Sequence, residues 1–144
     1  MSAAVIGVWE VGYSYPLLEA EVWRHPLREF GVTEWVMTPT SGVAIPELRE
    51  TNDLQGEIMA QSERRRVVFV DEAGATRLPE YQHPEHACYV FGRSSFSPLR
   101  AYGPSVPHDS VIIPTRASTG LLWAHQAAVV VLLDREVKRG RDSH

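Results

Sequence analysis

The chain has 144 residues, 44% of them hydrophobic and 22% charged, with a formal net charge of −4. Such a length makes one ordinary domain (1–144) that buries its core without metals or disulfides. The lone cysteine, Cys88, excludes an internal disulfide and a cysteine-rich metal site, and the acidic balance argues against a generic nucleic-acid binder. No apolar run approaches the roughly 18 residues of a membrane span, and the first residues lack the basic stretch of a signal peptide. The expectation is a cytoplasmic protein with no membrane partner.

Ala4 to Trp9 is a continuous apolar run with β-branched residues and predicts a first buried strand. Gly12 to Pro16 reads as a turn, with Ser14 placed to cap a helix whose first turn accepts Pro16. That helix is expected to kink or restart at Pro26 and to stop at Gly31. Glu34 to Pro39 predicts a second strand, and the polar stretch from Pro46 to about Arg65 is part loop and helical near its end. Arg66 to Asp71 is a third strand, Thr76 to His83 a connector, and Ala87 to Phe91 a fourth strand. A loop rich in Ser, Pro, Gly and Arg runs from Arg93 to His108, before a fifth strand at Ser110–Ile113. A last helix spans about Leu121 to Lys138. Apolar strands interleaved with helices imply an α/β fold, a mainly parallel five-stranded sheet covered on both faces.

The chain is organised around residues 88–135, where a strand opens into a glycine loop, a second strand follows, and a glycine-started helix closes the unit. Open parallel sheets bind ligands at the carboxyl ends of their strands, which is where this loop lies. Gly92 is the sharpest candidate there, because a glycine at a strand end lets a ligand approach the backbone or simply makes a turn. Charge is uneven as well. Residues 1–63 carry ten acids and three arginines, whereas residues 64–144 carry eleven basic residues and eight acids. All the basic residues but Lys138 are arginine, the better phosphate ligand, although a GC-rich genome produces the same bias.

The central stretch resembles a known family. His83-Pro84-Glu85 ahead of Tyr89-Val90-Phe91-Gly92, then Val111 to Thr115, then an Ala-rich helix ending Val131-Leu132-Leu133-Asp134-Arg135, is similar to the SPOUT (SpoU-like) RNA methyltransferases. The match covers residues 83–135, with Arg24 to Gly31 resembling the Arg…Phe-Gly segment of the family's first motif. It implies a C-terminal trefoil knot of the SPOUT type and S-adenosylmethionine held on loop backbone amides. It also implies an obligate homodimer with composite active sites, acting on tRNA or rRNA. Under it Phe91, Gly92, Arg93, Ile113, Thr115, Gly120, Leu121 and Leu122 bind the cofactor. Arg24 or Arg28 is then the catalytic or RNA-orienting arginine. Two departures stand out. Arg93-Ser94-Ser95 replaces the usual acidic residue and second glycine after Gly92, and the family's Ser-Leu-Asn falls on Leu121-Leu122-Trp123, without the asparagine.

Beside these candidates, Arg93, Arg100 and Arg116 lie on the flanking loops, where they meet RNA phosphates or the cofactor carboxylate, or else are solvated charges. His125 reads as a buried histidine at the dimer interface rather than a base. His83 and His86 have no third ligand at a recognisable spacing, so no metal is expected. Cys88 reads as an inert core thiol. Two other readings fit the same residues. One is a SPOUT-like module that binds cofactor or RNA without catalysing transfer, which the missing asparagine favours. The other is a doubly wound ligand-binding domain without a knot.

Overall fold

A computed structural model describes residues 2–10, 15–93, 95–117 and 122–142. Its centre is one parallel sheet. Strands β1 (Ser2–Val8), β2 (Glu34–Thr38), β3 (Leu48–Glu50), β4 (Arg66–Val70), β5 (Thr76–Arg77), β6 (His86–Phe91) and β7 (His108–Ile112) lie in the order β3-β2-β1-β6-β4-β7-β5. Every pairing is parallel, as the apolar runs require. The sheet has seven strands rather than the expected five. The two additions, β3 and β5, are its edges, where short polar strands need one partner and bury little.

The pleat sorts the core into two layers. Ala3, Val5 and Trp9 of the first strand region, with Ala87, Tyr89 and Phe91 of β6, face α1 (Pro16–Glu29) and α4 (Ala124–Asp142). Ala4, Ile6, Val67, Phe69, Cys88 and Val90 face the opposite way. They pack on Leu54 and Ile58 of α2 (Leu54–Ser62) and on Leu99 and Tyr102 of α3 (Pro98–Tyr102). Cys88 is fully buried, and burial pushes its thiol well above the ordinary range, as befits an inert core residue.

Local chemistry explains the helix ends. Pro26 sits inside α1 without ending it, and Ala20, Trp23 and Leu27 turn one stripe into the core. The helix closes as a Schellman motif: the Gly31 N–H donates to Arg28 and the Val32 N–H to Leu27, with Gly31 at φ +69°. The expected cap, Ser14, lies outside the described residues. Asp53 caps α2 by accepting from the Gly56 N–H at 3.0 Å, which places a nine-residue helix in the stretch 46–65. Ser97 caps α3, a helix that the loop 93–108 was not expected to hold. At the start of α4, later than the Leu121 expected, the Trp123 N–H donates to the Gln126 side chain at 3.0 Å.

One buried polar cluster ties α4 to the amino end of β6. Arg135, 7% exposed, donates to the Pro84 carbonyl (2.6 Å), the Glu85 carbonyl (2.8 Å) and the Tyr89 hydroxyl (2.9 Å). His83 bridges Tyr89 and Asp134, at 2.7 Å to each, and His86 meets Ser2 instead of joining it. Burial lowers the His83 pKa despite the neighbouring Asp134 carboxylate. Replacing Arg135 by Leu strands the buried Tyr89 hydroxyl and two part-buried carbonyls and is expected to destabilise the fold by about 3 kcal/mol. The urea midpoint should fall at unchanged m-value; a midpoint equal to wild type would mean that water replaces the guanidinium.

Candidate functional site

At the carboxyl edge, β4, β6 and β7 stop side by side and a cavity of about 690 Å³ opens beyond them. That volume suits a ligand of nucleoside size or somewhat larger. Phe91, Ile112, Ile113, Leu122, Ala124 and Ala127 form its apolar wall. Asp71, Glu72, Arg77, Arg93 and Arg100 supply its charged groups. Among the described residues no histidine or cysteine lines it.

The loops that shape this cavity are braced from inside. The Asp71 N–H donates to the Val111 carbonyl at 3.0 Å, and the Asp71 carboxylate accepts from the Ser97 hydroxyl at 2.6 Å and the Ala73 N–H at 2.8 Å. Ser97 in turn accepts from the Arg100 N–H, so the end of β4 and the start of α3 are one connected unit. Arg93 closes a small turn by exchanging backbone hydrogen bonds with Phe96, and its guanidinium donates to the Trp9 carbonyl at 3.1 Å. On the other side Glu19, buried on α1, accepts twice from the Glu10 N–H, at 2.8 and 3.1 Å. The Glu10 carboxylate meets the first N–H of α4, that of Ala124, at 3.4 Å.

Of the residues singled out from sequence, Phe91, Gly92, Arg93, Ile113, Thr115 and Leu122 all line this one cavity. Gly120 and Leu121 lie outside the described residues. Gly92 has a more local reason for being glycine than ligand approach. A Cβ there would lie 2.4 Å from the Phe96 carbonyl oxygen and 2.6 Å from Pro98 Cδ, so the turn itself needs the hydrogen. Arg24 and Arg28 stand apart, on α1 and outside the described lining. Arg24 pairs with Glu21 and keeps a buried Nε without a partner, while the exposed Arg28 pairs with Glu47. Trp123, at the position of the expected asparagine, is 53% exposed and sets its ring edge-to-face against His125, which also meets Trp23.

Several lining residues were not among the cofactor-binding candidates read from the sequence. Asp71 and Glu72 are the first polar residues after a buried strand, a position that itself marks the ligand edge of a parallel sheet. Ala124 and Ala127, three apart on one helix face, leave room that larger residues would fill. Arg77 looked like part of a connector.

No family model and no curated protein matches the sequence. Solved structures do. One, concerned with 2-OH methylation of C/U34 on tRNA, superposes with a TM-score of 0.72 at 13% identity over 97% of this chain and 92% of that one. A putative RNA methyltransferase from Bacillus anthracis gives 0.70 at 12% identity, over 96% and 95% of the two chains. The SpoU methyltransferase AviRb from Streptomyces viridochromogenes, in complex with AdoMet, gives 0.72 at 16% identity over 94% of this chain and 57% of that one. The fold is therefore the one shared by these methyltransferase structures, over nearly the whole chain and not only residues 83–135.

Alanine at Gly92 is expected to cost about 2 kcal/mol, because backbone and a proline ring, not a flexible side chain, occupy the space its Cβ would need. Thermal unfolding of Gly92→Ala checks this. An unchanged midpoint would mean that the 93–96 turn has another closed form.

Proposed function

We propose that the protein is an S-adenosylmethionine-dependent RNA methyltransferase. Its residues 1–144 would serve as a cytoplasmic methyltransferase domain that works as a homodimer, with the SPOUT-type knot in its C-terminal part. The observation that carries this reading is the braced cavity at the carboxyl edge of a SpoU-type sheet, in the class of fold that includes an AdoMet complex. Its lining suits that cofactor, with an apolar wall for an aromatic base and both carboxylates and guanidiniums for a zwitterionic amino-acid end. Phe91, Gly92, Arg93, Ile113, Thr115 and Leu122 would hold it, together with Gly120 and Leu121.

The bound cofactor supplies an electrophilic methyl group. The protein's part is to hold the RNA acceptor in line with it and to exclude water, which converts an encounter into an oriented transfer. A neighbour concerned with 2-OH methylation of tRNA favours a ribose 2′-hydroxyl of tRNA or rRNA as that acceptor. Arg24 or Arg28 would steady the adjacent phosphate. Neither lines the cavity of its own protomer, so the role asks for a partner's cavity.

A second copy also accounts for the outer surface of α1 and α4. Leu17, Leu18 and Val22 on α1, and Val130, Leu133 and Val137 on α4, are large apolar residues between 37% and 67% exposed. A helix apolar on both its faces calls for a second covering.

Calorimetric titration with S-adenosylmethionine and S-adenosylhomocysteine tests the cofactor. Micromolar binding is expected, lost by tenfold or more in Leu122→Trp, whose indole would fill the cavity from an exposed position. A folded protein that binds neither compound would sink the methyltransferase reading. Light scattering tests the assembly, with twice the 16.2 kDa of one chain expected for wild type and a single chain for Leu133→Asp. A monomeric wild type would refute the dimer.

A further inference from the structure

Nearly every described basic side chain is already occupied. Arg49, Arg64 and Arg65 converge on Glu34, Arg66 pairs with Asp109, and Lys138 with Asp134. Arg24, Arg28, Arg77 and Arg139 have carboxylates within 4.0 Å, and Arg93 and Arg135 donate to backbone carbonyls. Two guanidiniums are left over, those of Arg100 and Arg116. Both are exposed, and among the described residues neither has a hydrogen-bond acceptor or a carboxylate at ion-pair distance. Sixteen residues apart, they lie on two segments that border one cavity. Arg100 lines the cavity from α3, and Arg116 directly follows Thr115, which lines it from the loop after β7.

Among the described residues, an acidic chain of net charge −4 leaves two cations without a partner, one lining the cavity and one next to its lining, and so presents a local anion site. Two carboxylates share the lining, Asp71, which accepts from the Ser97 hydroxyl and the Ala73 N–H, and Glu72, which forms no ion pair with either arginine; the guanidiniums of Arg77, Arg93 and Arg100 outnumber them there. We infer that Arg100 and Arg116 are the phosphate clamp through which this site grips the RNA backbone on either side of the acceptor nucleotide. The inference rests on the methyltransferase reading above and adds to it the residues that bind the RNA and the way they do so. Guanidiniums suit the task, because each offers paired donors to phosphate oxygens, and phosphate contacts position a strand without reading its sequence. Affinity should therefore fall steeply with salt and depend little on base identity.

The test is fluorescence anisotropy of a labelled 17-nucleotide RNA stem-loop against the full chain, over a series of salt concentrations. Arg100→Glu/Arg116→Glu is compared with a charge-matched control, Arg64→Glu/Arg139→Glu, whose residues lie outside the cavity. In parallel, S-adenosylhomocysteine binding is measured for each protein. The expected result is a loss of at least about tenfold in RNA affinity for the first variant only. Its log–log salt slope should be flatter by about 1.5, the contribution of two phosphate contacts. Cofactor binding should stay at the wild-type level. Wild-type RNA affinity and slope in Arg100→Glu/Arg116→Glu would overturn the clamp, as would an equal loss in the control. A wild type that binds S-adenosylhomocysteine but not RNA would also overturn it and leave the cofactor site standing. A wild type that binds RNA through these arginines but no cofactor would keep the clamp and remove the methyltransferase.

Discussion

The position of α4 governs the site, and polar contacts that have few alternatives set it at its start and past its middle. Past the middle, the Arg135 guanidinium is buried, carries a permanent charge, and has no carboxylate bonded to it. Its donors are satisfied by two carbonyls just ahead of β6 and by the Tyr89 hydroxyl, with the Tyr89 ring 5.8 Å away. A buried cation so tethered cannot slide by a helical turn without losing all three acceptors. At the near end the first N–H of the helix meets Glu10, which Glu19 holds in turn. Ala124 and Ala127 are thereby fixed as one wall of the cavity. Pocket shape at one edge of the sheet thus depends on hydrogen bonds made at the other.

The cavity follows from parallel pairing. Because β4, β6 and β7 all run the same way, their exits converge on one side, and each connection must leave over that edge before returning. Crowding among these exits explains the glycines better than ligand contact does. Gly92 is forced by the Phe96 carbonyl, and a Cβ at Gly74 would lie 2.2 Å from the Val111 carbonyl carbon. The loops pack so closely on one another that the space left over is defined by backbone, and a defined backbone cavity is the precondition for holding a ligand mainly on main-chain groups.

The five central strands were legible because a strand buried on both faces must be apolar throughout, as Val67 to Phe69 and Ala87 to Phe91 are. The edge strands escaped for the converse reason: Leu48-Arg49-Glu50 and Thr76-Arg77 bury little and read as connector. The α3 turn was written in Ser97-Pro98, a cap followed by a first-turn proline, but its five residues give no periodicity to detect. Candidate ligand residues near strand ends were recoverable from the strand pattern alone. The helix-borne arginines were not. Whether Arg24 or Arg28 faces a cavity depends on how α1 lies across the sheet and on what covers its outer face, and neither is encoded in local spacing.

Charge shows the same gap between composition and structure. The sequence places an excess of acids in residues 1–63. Much of it is spent internally. Burial alone would raise the Glu34 carboxyl, but hydrogen bonds from Arg64, Arg49 and Arg65 outweigh that and hold its pKa down at about 2. Asp109 is likewise kept ionised, its partial burial offset by Arg66 and the Tyr81 hydroxyl. Both networks draw arginines from the basic half, so of its eleven cations only a few among the described residues face solvent unpaired. What an approaching polyanion meets is this remainder, not the sum. A net charge of −4 is therefore compatible with an anion-binding mouth, provided that the uncompensated guanidiniums stand where the cavity opens.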